Sequence, residues 1–151
     1  MIRHADVNDA EGISGLYEMS FRQQNSRQNF QRELSANESA YWLVAEYAGR
    51  IVGYLGGNIL FSDDRTHSIM HLSSLAVDPE FQNLGIAAIL LHTMGAQCDG
   101  IGVESMVLEV RTSNRKAIFL YEECGFETAD IREAYYDDNG EDALVMVKLL
   151  F

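Results

Sequence analysis

Apolar and polar positions along this chain repeat with two different periods, and the changes of period divide it into helices and strands. Ala10, Ile13, Leu16, Tyr17 and Phe21 recur by three and four, which is one face of a helix. Asn8 and Glu11 have capping-box spacing, so a first helix is expected near residues 8–20. Phe30 and Leu34 predict a second, shorter helix within the polar stretch 26–36. From Tyr41 the pattern becomes β-rich. Residues 41–47, 51–61 and 67–77 read as three consecutive antiparallel strands, joined across Ala48-Gly49-Arg50 and the turn Ser62-Asp63-Asp64-Arg65.

After Pro79 the spacing is helical again, through Ile86, Ile89, Leu90, Thr93, Met94 and Gln97, with the amino end at Gly85. Residues 104–111 alternate as a strand. Met106, Leu108 and Val110 share one face, so Glu109 points away from them together with Ser105, Val107 and Arg111. Ser113 or Asn114 caps a further helix that runs through Ala117, Leu120 and Tyr121 and stops at Gly125, with Phe126 packing back. Residues 128–136 and 143–150 form a hairpin around Asp137-Asp138-Asn139-Gly140. The predicted order α, α, β, β, β, α, β, α, β, β describes an α/β fold, a mixed sheet with helices on its faces. No repeat, low-complexity tract or linker interrupts it, so residues 1–151 are expected to form a single domain.

Composition narrows the function. A length of 151 residues, 47% hydrophobic and 23% charged, suits one soluble core. The formal net charge of -12 repels nucleic-acid backbones and anionic membrane surfaces, so neither is an expected partner. The same charge draws in a cationic substrate such as a basic peptide or a polyamine, and it equally serves solubility. Cys98 and Cys124 have neither CxxC nor HExxH company, so no metal site is expected and both are read as free thiols in a reducing cytoplasm. The start of the chain has no signal-peptide architecture, and no segment approaches the ~20 apolar residues of a membrane span.

The chemistry concentrates in Leu75-Ala76-Val77-Asp78-Pro79-Glu80-Phe81-Gln82-Asn83-Leu84-Gly85-Ile86-Ala87, a strand, a proline-bearing turn and a glycine entering a helix. Such a junction aims unpaired backbone N–H groups and the positive end of a helix dipole at one point, which suits a pyrophosphate without any basic side chain. Gln82-Asn83-Leu84-Gly85-Ile86-Ala87 matches the Q/R-x-x-G-x-G/A acetyl-CoA signature of the GNAT superfamily of N-acetyltransferases, behind a strand ending Leu-Ala-Val-Asp-Pro. The resemblance continues through Leu108-Glu109-Val110-Arg111, Ser113-Asn114, Ala117-Ile118, Leu120-Tyr121-Glu122, Gly125-Phe126, Ile131-Arg132, Tyr135-Tyr136 and Glu141-Asp142-Ala143. Together these look like the RimI-type branch, which acetylates the amino-terminal alanine of a small-subunit ribosomal protein.

The resemblance implies a GNAT-like single domain whose mostly antiparallel sheet splays open between its central strands, flanked by helices. It implies acetyl-CoA as acyl donor, with the pantetheine arm beside Leu75, Ala76 and Val77, the pyrophosphate on the backbone of Gln82, Asn83, Leu84, Gly85, Ile86 and Ala87, and Asn114 on the coenzyme arm. Glu109 takes the place of the base that deprotonates the amine, and Tyr121 that of the acid that protonates the departing thiolate. Tyr121 also shares a helix face with Ala117 and Cys124, so its ring is a core candidate as well. The Val77 N–H is expected to donate to the thioester oxygen. Tyr135 and Tyr136 are expected to line the site of a peptide acceptor, such as the amino terminus of a basic ribosomal protein. Acetylation of a polyamine and non-catalytic binding of acyl-CoA are the competing readings. The chain departs from the branch in Phe21-Arg22-Gln23-Gln24-Asn25-Ser26-Arg27-Gln28-Asn29-Phe30, which lacks the Pro-Trp of the usual acceptor-side loop. Gln82-Asn83-Leu84 also lacks arginine, so the pyrophosphate would rest on backbone donors. Oligomeric state and acyl-chain preference leave no mark in the sequence.

Overall fold

A computed structural model describes residues 1–21 and 26–150. In chain order the elements are β1 (Ile2–His4), α1 (Ala10–Phe21), α2 (Arg27–Ala36), β2 (Ala40–Tyr47), β3 (Arg50–Phe61) and β4 (Ser68–Val77). They continue with α3 (Ile86–Gly100), β5 (Ser105–Arg111), α4 (Arg115–Glu123), β6 (Glu127–Arg132) and β7 (Ala143–Leu149). The strands form a seven-stranded sheet in the order β1-β2-β3-β4-β5-β7-β6. Every neighbouring pair is antiparallel except β4 and β5, which run parallel.

The alternation that predicts each strand also sorts side chains between the two faces of the sheet. On one face Met70, Leu72, Met106, Leu108 and Val110 pack with Leu90, Leu91 and Met94 of α3 and against Ala117, Leu120 and Tyr121 of α4. On the other, Val44, Tyr54 and Ala76 meet Ala10, Ile13 and Leu16 of α1 and Phe30 of α2. The Trp42 ring stands edge-on to Phe30, with centroids 5.5 Å apart, and lies against Gly56, where any Cβ would overlap the indole.

Three local expectations change. The helix-starting box is built by Asp6 and Asp9, not by Asn8 and Glu11, and it caps a 3-10 turn over Val7–Asp9 that leads into α1. Asp9 is fixed there because Arg3 holds its carboxylate in two hydrogen bonds of 2.8 and 2.9 Å. The short strand β1 is too brief to leave a periodic signal; it pairs with Leu43 to Ala45 of β2. The strand predicted over 128–136 ends at Arg132, opposite Ala143, where its partner β7 begins. Beyond it Ala134 takes a φ of 48° and its N–H bonds to Asp142, which turns Tyr135 and Tyr136 out of the sheet.

The parallel pair determines where a site can form. β4 and β5 are hydrogen-bonded only from Ile69–Ser105 to His71–Val107, and beyond that register they part. Just past the last pair, β4 carries a bulge. Gly57 opposes Leu72 while Gly56 opposes Ser74, so Ser73 is the extra residue. The bulge reverses the alternation: Met70 and Leu72 face α3, whereas Ser74 and Ala76 face the side of α1, where the Ser74 hydroxyl meets that of Tyr54 at 2.7 Å. Among the described residues, no helix is long and apolar enough to cross a membrane.

Candidate active site

The divergence of β4 and β5 opens a cleft of about 370 Å³ that passes between the strands. Its walls include Leu72, Ser73, Ser74 and Leu75 from β4, Leu108 to Arg111 from β5, Asn114, Ala117, Leu120 and Tyr121 from the start and body of α4, and Tyr136. Of the residues picked out in the sequence, Leu75, Glu109, Asn114, Tyr121 and Tyr136 therefore share one cavity. Tyr135 reaches it through its hydroxyl, which donates to Glu109 Oε1 at 3.5 Å.

Glu109 projects from the face of β5 opposite Leu108, as the alternation predicts, and its side chain is 17% exposed. Its carboxylate meets a group that the sequence reading passed over. His71 Nε2 lies 2.7 Å from Oε2 and 3.0 Å from Oε1. The parallel register puts His71 opposite Val107, two residues before Glu109 on the same face, so the contact follows from the pairing. Judged on metal-ligand spacing alone, His71 gives no signal; its position on the polar phase of β4 is the sign that it shares a face with Glu109.

Tyr121 approaches from the other side of the sheet. Its ring packs edge-on to Phe126, with centroids 5.8 Å apart, and burial pushes the phenol up to about 12, so the hydroxyl keeps its proton through the neutral range. The core role and the cleft-lining role coexist, ring packed and cavity wall shared.

The phosphate-binding candidate lies at the far end of β4. Asp78 N–H bonds to Val52 O at 2.8 Å, which fixes the hydrogen-bond phase and turns Ala76 toward β3. The backbone groups of Leu75 and Val77 then point to the open side, although the Val77 carbonyl already accepts from Gln82 Nε2 at 3.0 Å. The Ala76 side chain belongs to the α1 core, and its backbone polar groups face β3. Gln82, Asn83, Leu84 and Gly85 stand exposed in a loop where Asn83 and Gly85 take φ of 64° and 84°. Left-handed backbone at Gly85 costs nothing sterically and swings the chain directly into α3. The first return bond runs from Ile89 N–H to Gly85 O at 3.0 Å, which leaves the N–H groups of Ile86, Ala87 and Ala88 at the open helix end. No side chain caps that end. Lys116 Nζ lies 3.5 Å from Gln82 Oε1 and brings a positive charge to the loop.

Asn114 is the cap of α4: its Oδ1 accepts from Ala117 N–H at 3.2 Å, while Ser113 N–H donates to Glu141 at 2.7 Å. Arg111, on the same face of β5 as Glu109, bonds to Asp138 at 2.8 Å and lies 3.9 Å from the Tyr136 ring centroid. These contacts tether the turn carrying Tyr135 and Tyr136 to the strand that carries Glu109. Part of the divergent stretch, residues 22–25, lies outside the described residues; Phe21 reaches the cleft wall and Ser26 immediately precedes α2.

The chain matches the acetyltransferase (GNAT) family over residues 10–126. An N-alpha-acetyltransferase of Sulfurisphaera tokodaii is 32% identical over 152 aligned positions, covering 96% of this chain and 90% of that protein. The ribosomal protein bS18-alanine N-acetyltransferase of Escherichia coli (strain K12) is 44% identical over 77 positions, which cover 50% of this chain and 52% of that one. The crystal structure of the ribosomal-protein-S18-alanine N-acetyltransferase from Escherichia coli superposes with a TM-score of 0.83 at 27% identity, covering 99% of this chain and 93% of that chain.

Proposed function

The chain belongs to the acetyltransferase (GNAT) family, and on that premise we propose that residues 1–151 work as one cytoplasmic catalytic domain that moves an acetyl group from acetyl-CoA to the amino terminus of a protein or peptide. The observation that carries this reading is the cleft between β4 and β5, which has a carboxylate on one side and a protonated phenol on the other. Relatives that act on the alanine of ribosomal protein bS18 support such a terminus as the first acceptor to test. The net charge of -12 favours the approach of a basic protein. Buried, unpaired Cys98 and Cys124 fit a reducing compartment.

An α-amino group is largely protonated at neutral pH, with an ordinary pKa near ~8, and must lose a proton before it attacks. Glu109 takes that proton, directly or through a water. The Val77 N–H donates to the thioester oxygen as charge builds on it. Tyr121 gives its proton to the sulfur as the carbon–sulfur bond breaks. The amine loses two protons overall: one ends on the thiol by way of Tyr121, and the other leaves through Glu109 to solvent. The N–H groups of Ile86 to Ala88, the open loop before them and Lys116 offer the diphosphate its donors. Direct transfer in one ternary complex needs no acyl-enzyme, and buried Cys124 has no part in it.

The test is thiol release from acetyl-CoA across peptides beginning with Ala, Ser or Met and across polyamines. Release with Ala-starting peptides is expected; release with polyamines alone would transfer the assignment to small amines. Coenzyme uptake without release from any acceptor would identify a binding module. Tyr121→Phe is expected to lower kcat about tenfold to thirtyfold while acetyl-CoA affinity holds. The loss is modest because a thiolate, of ordinary pKa near ~8.5, departs fairly well unprotonated. Unchanged turnover would remove Tyr121 from this role.

A further inference from the structure

The contact between His71 and Glu109 bears on the pH at which the site works. Resting on the acetyl-transfer reading above, we propose that His71 is the positioning residue of Glu109: as a neutral imidazole it orients the carboxylate, and as an imidazolium it disables it as a base.

The geometry supports both halves. One imidazole nitrogen, Nε2, addresses both carboxylate oxygens at 2.7 and 3.0 Å, distances that require a hydrogen between the atoms. With the proton on Nε2, neutral His71 donates to Glu109 and turns the carboxylate of this cleft-lining residue. Protonating Nδ1 as well converts the contact into a full ion pair. A positive charge at that distance favours the ionised carboxylate and so weakens its hold on a proton taken from the amine. The imidazole has a route to solvent for this second proton, because its side chain is 33% exposed.

The other groups against Glu109 do not titrate in the same range. Burial, followed by the Glu109 charge, pushes the Tyr135 phenol up, and burial does the same for Tyr136. Arg111, beyond Glu109 on the same face, is raised by its hydrogen bond to Asp138 and stays cationic. Of these side chains, the imidazole is the one that gains a charge on acidification. The acid limb of kcat therefore follows His71. Activity is complete while the ring is neutral and falls as it becomes an imidazolium.

Two substitutions separate orientation from charge. In His71→Gln, the amide nitrogen can donate to Glu109 but cannot gain a proton. The expected result at saturating acceptor is a plateau kcat within about threefold of the parent and an acid limb at least about one pH unit lower, toward the range of a carboxylate acting alone. In His71→Ala the donor is lost, and the plateau is expected to fall about tenfold, a fraction of what a positioned base supplies. Acetyl-CoA affinity should hold in both. Superimposed acid limbs for parent and His71→Gln, or a His71→Ala plateau within twofold of the parent, would overturn the proposal.

A measurement on the unaltered protein decides the matter even if a variant does not fold. Proton NMR of the His71 ring is expected to titrate with the midpoint of the kinetic limb, and a separation of more than about one unit would overturn the assignment. No turnover of the parent at any pH would instead remove the acetyl-transfer reading on which the proposal rests.

Discussion

Glu109→Gln is expected to lower kcat and kcat/KM together by about a hundredfold to ten-thousandfold, while acetyl-CoA binds as before. The amide keeps the shape of the side chain and can still bond to His71 Nε2, so the cleft should stay intact. What disappears is a group able to take a proton from an ammonium ion at neutral pH. The loss corresponds to about 3 to 5 kcal/mol of barrier. Stopped-flow thiol detection with an Ala-starting peptide, paired with calorimetry of coenzyme binding, separates the two quantities. A variant that turns over at the parental rate would show that solvent or another residue deprotonates the amine.

The largest expected effect on stability lies in β3. A Cβ on Gly57 would lie on top of the His71 carbonyl oxygen and within 2.9 Å of Leu72 Cα. Both are backbone atoms of the neighbouring strand, so no rotamer change relieves the overlap. Gly57→Ala must push β3 and β4 apart at the bulge, at a cost of about 3 kcal/mol. For a chain of this size that lowers Tm by about 6 to 12 °C. Gly15→Ala is the informative control. Gly15 is exposed in α1 with no atom within 4 Å of a new Cβ, and alanine there should stabilise the helix by about 0.5 to 1 kcal/mol. Equal melting temperatures for the two variants would contradict the close approach at Gly57. Activity of Gly57→Ala is expected to fall even where it remains folded, because the displaced backbone belongs to His71.

Periodicity made the main frame legible because burial enforces it. The alternation in β5 assigns Met106, Leu108 and Val110 to the core and Glu109 to the opposite face, and the structure agrees residue by residue. Gly85 and the proline turn mark the start of α3 for a similar reason, since few residues take that backbone conformation. The bulge at Ser73 was also written in the chain, as a slip of phase from Met70 and Leu72 to Leu75 and Val77, but such a slip resembles ordinary irregularity until the register is known. His71 was missed because its meaning is a pairwise distance across two strands far apart in sequence. The end of β6 depends on where β7 stops pairing, a tertiary fact with no local residue code. The box at Asp6 and Asp9 was misassigned because Arg3, whose role appears only on folding, selects between neighbouring acidic residues.

The gap between β4 and β5 turns the sheet into a partition with a window. Glu109 stands on the α1 side of that window and Tyr121 on the α4 side, so under the proposed reaction the acyl donor and the amine would have separate doorways and meet at the opening. Neither reactant would then have to leave before the other enters, and the spent thiol and the acylated product would be able to depart in either order. Traffic through this enzyme would thereby be freed from the strict queue that one shared entrance imposes.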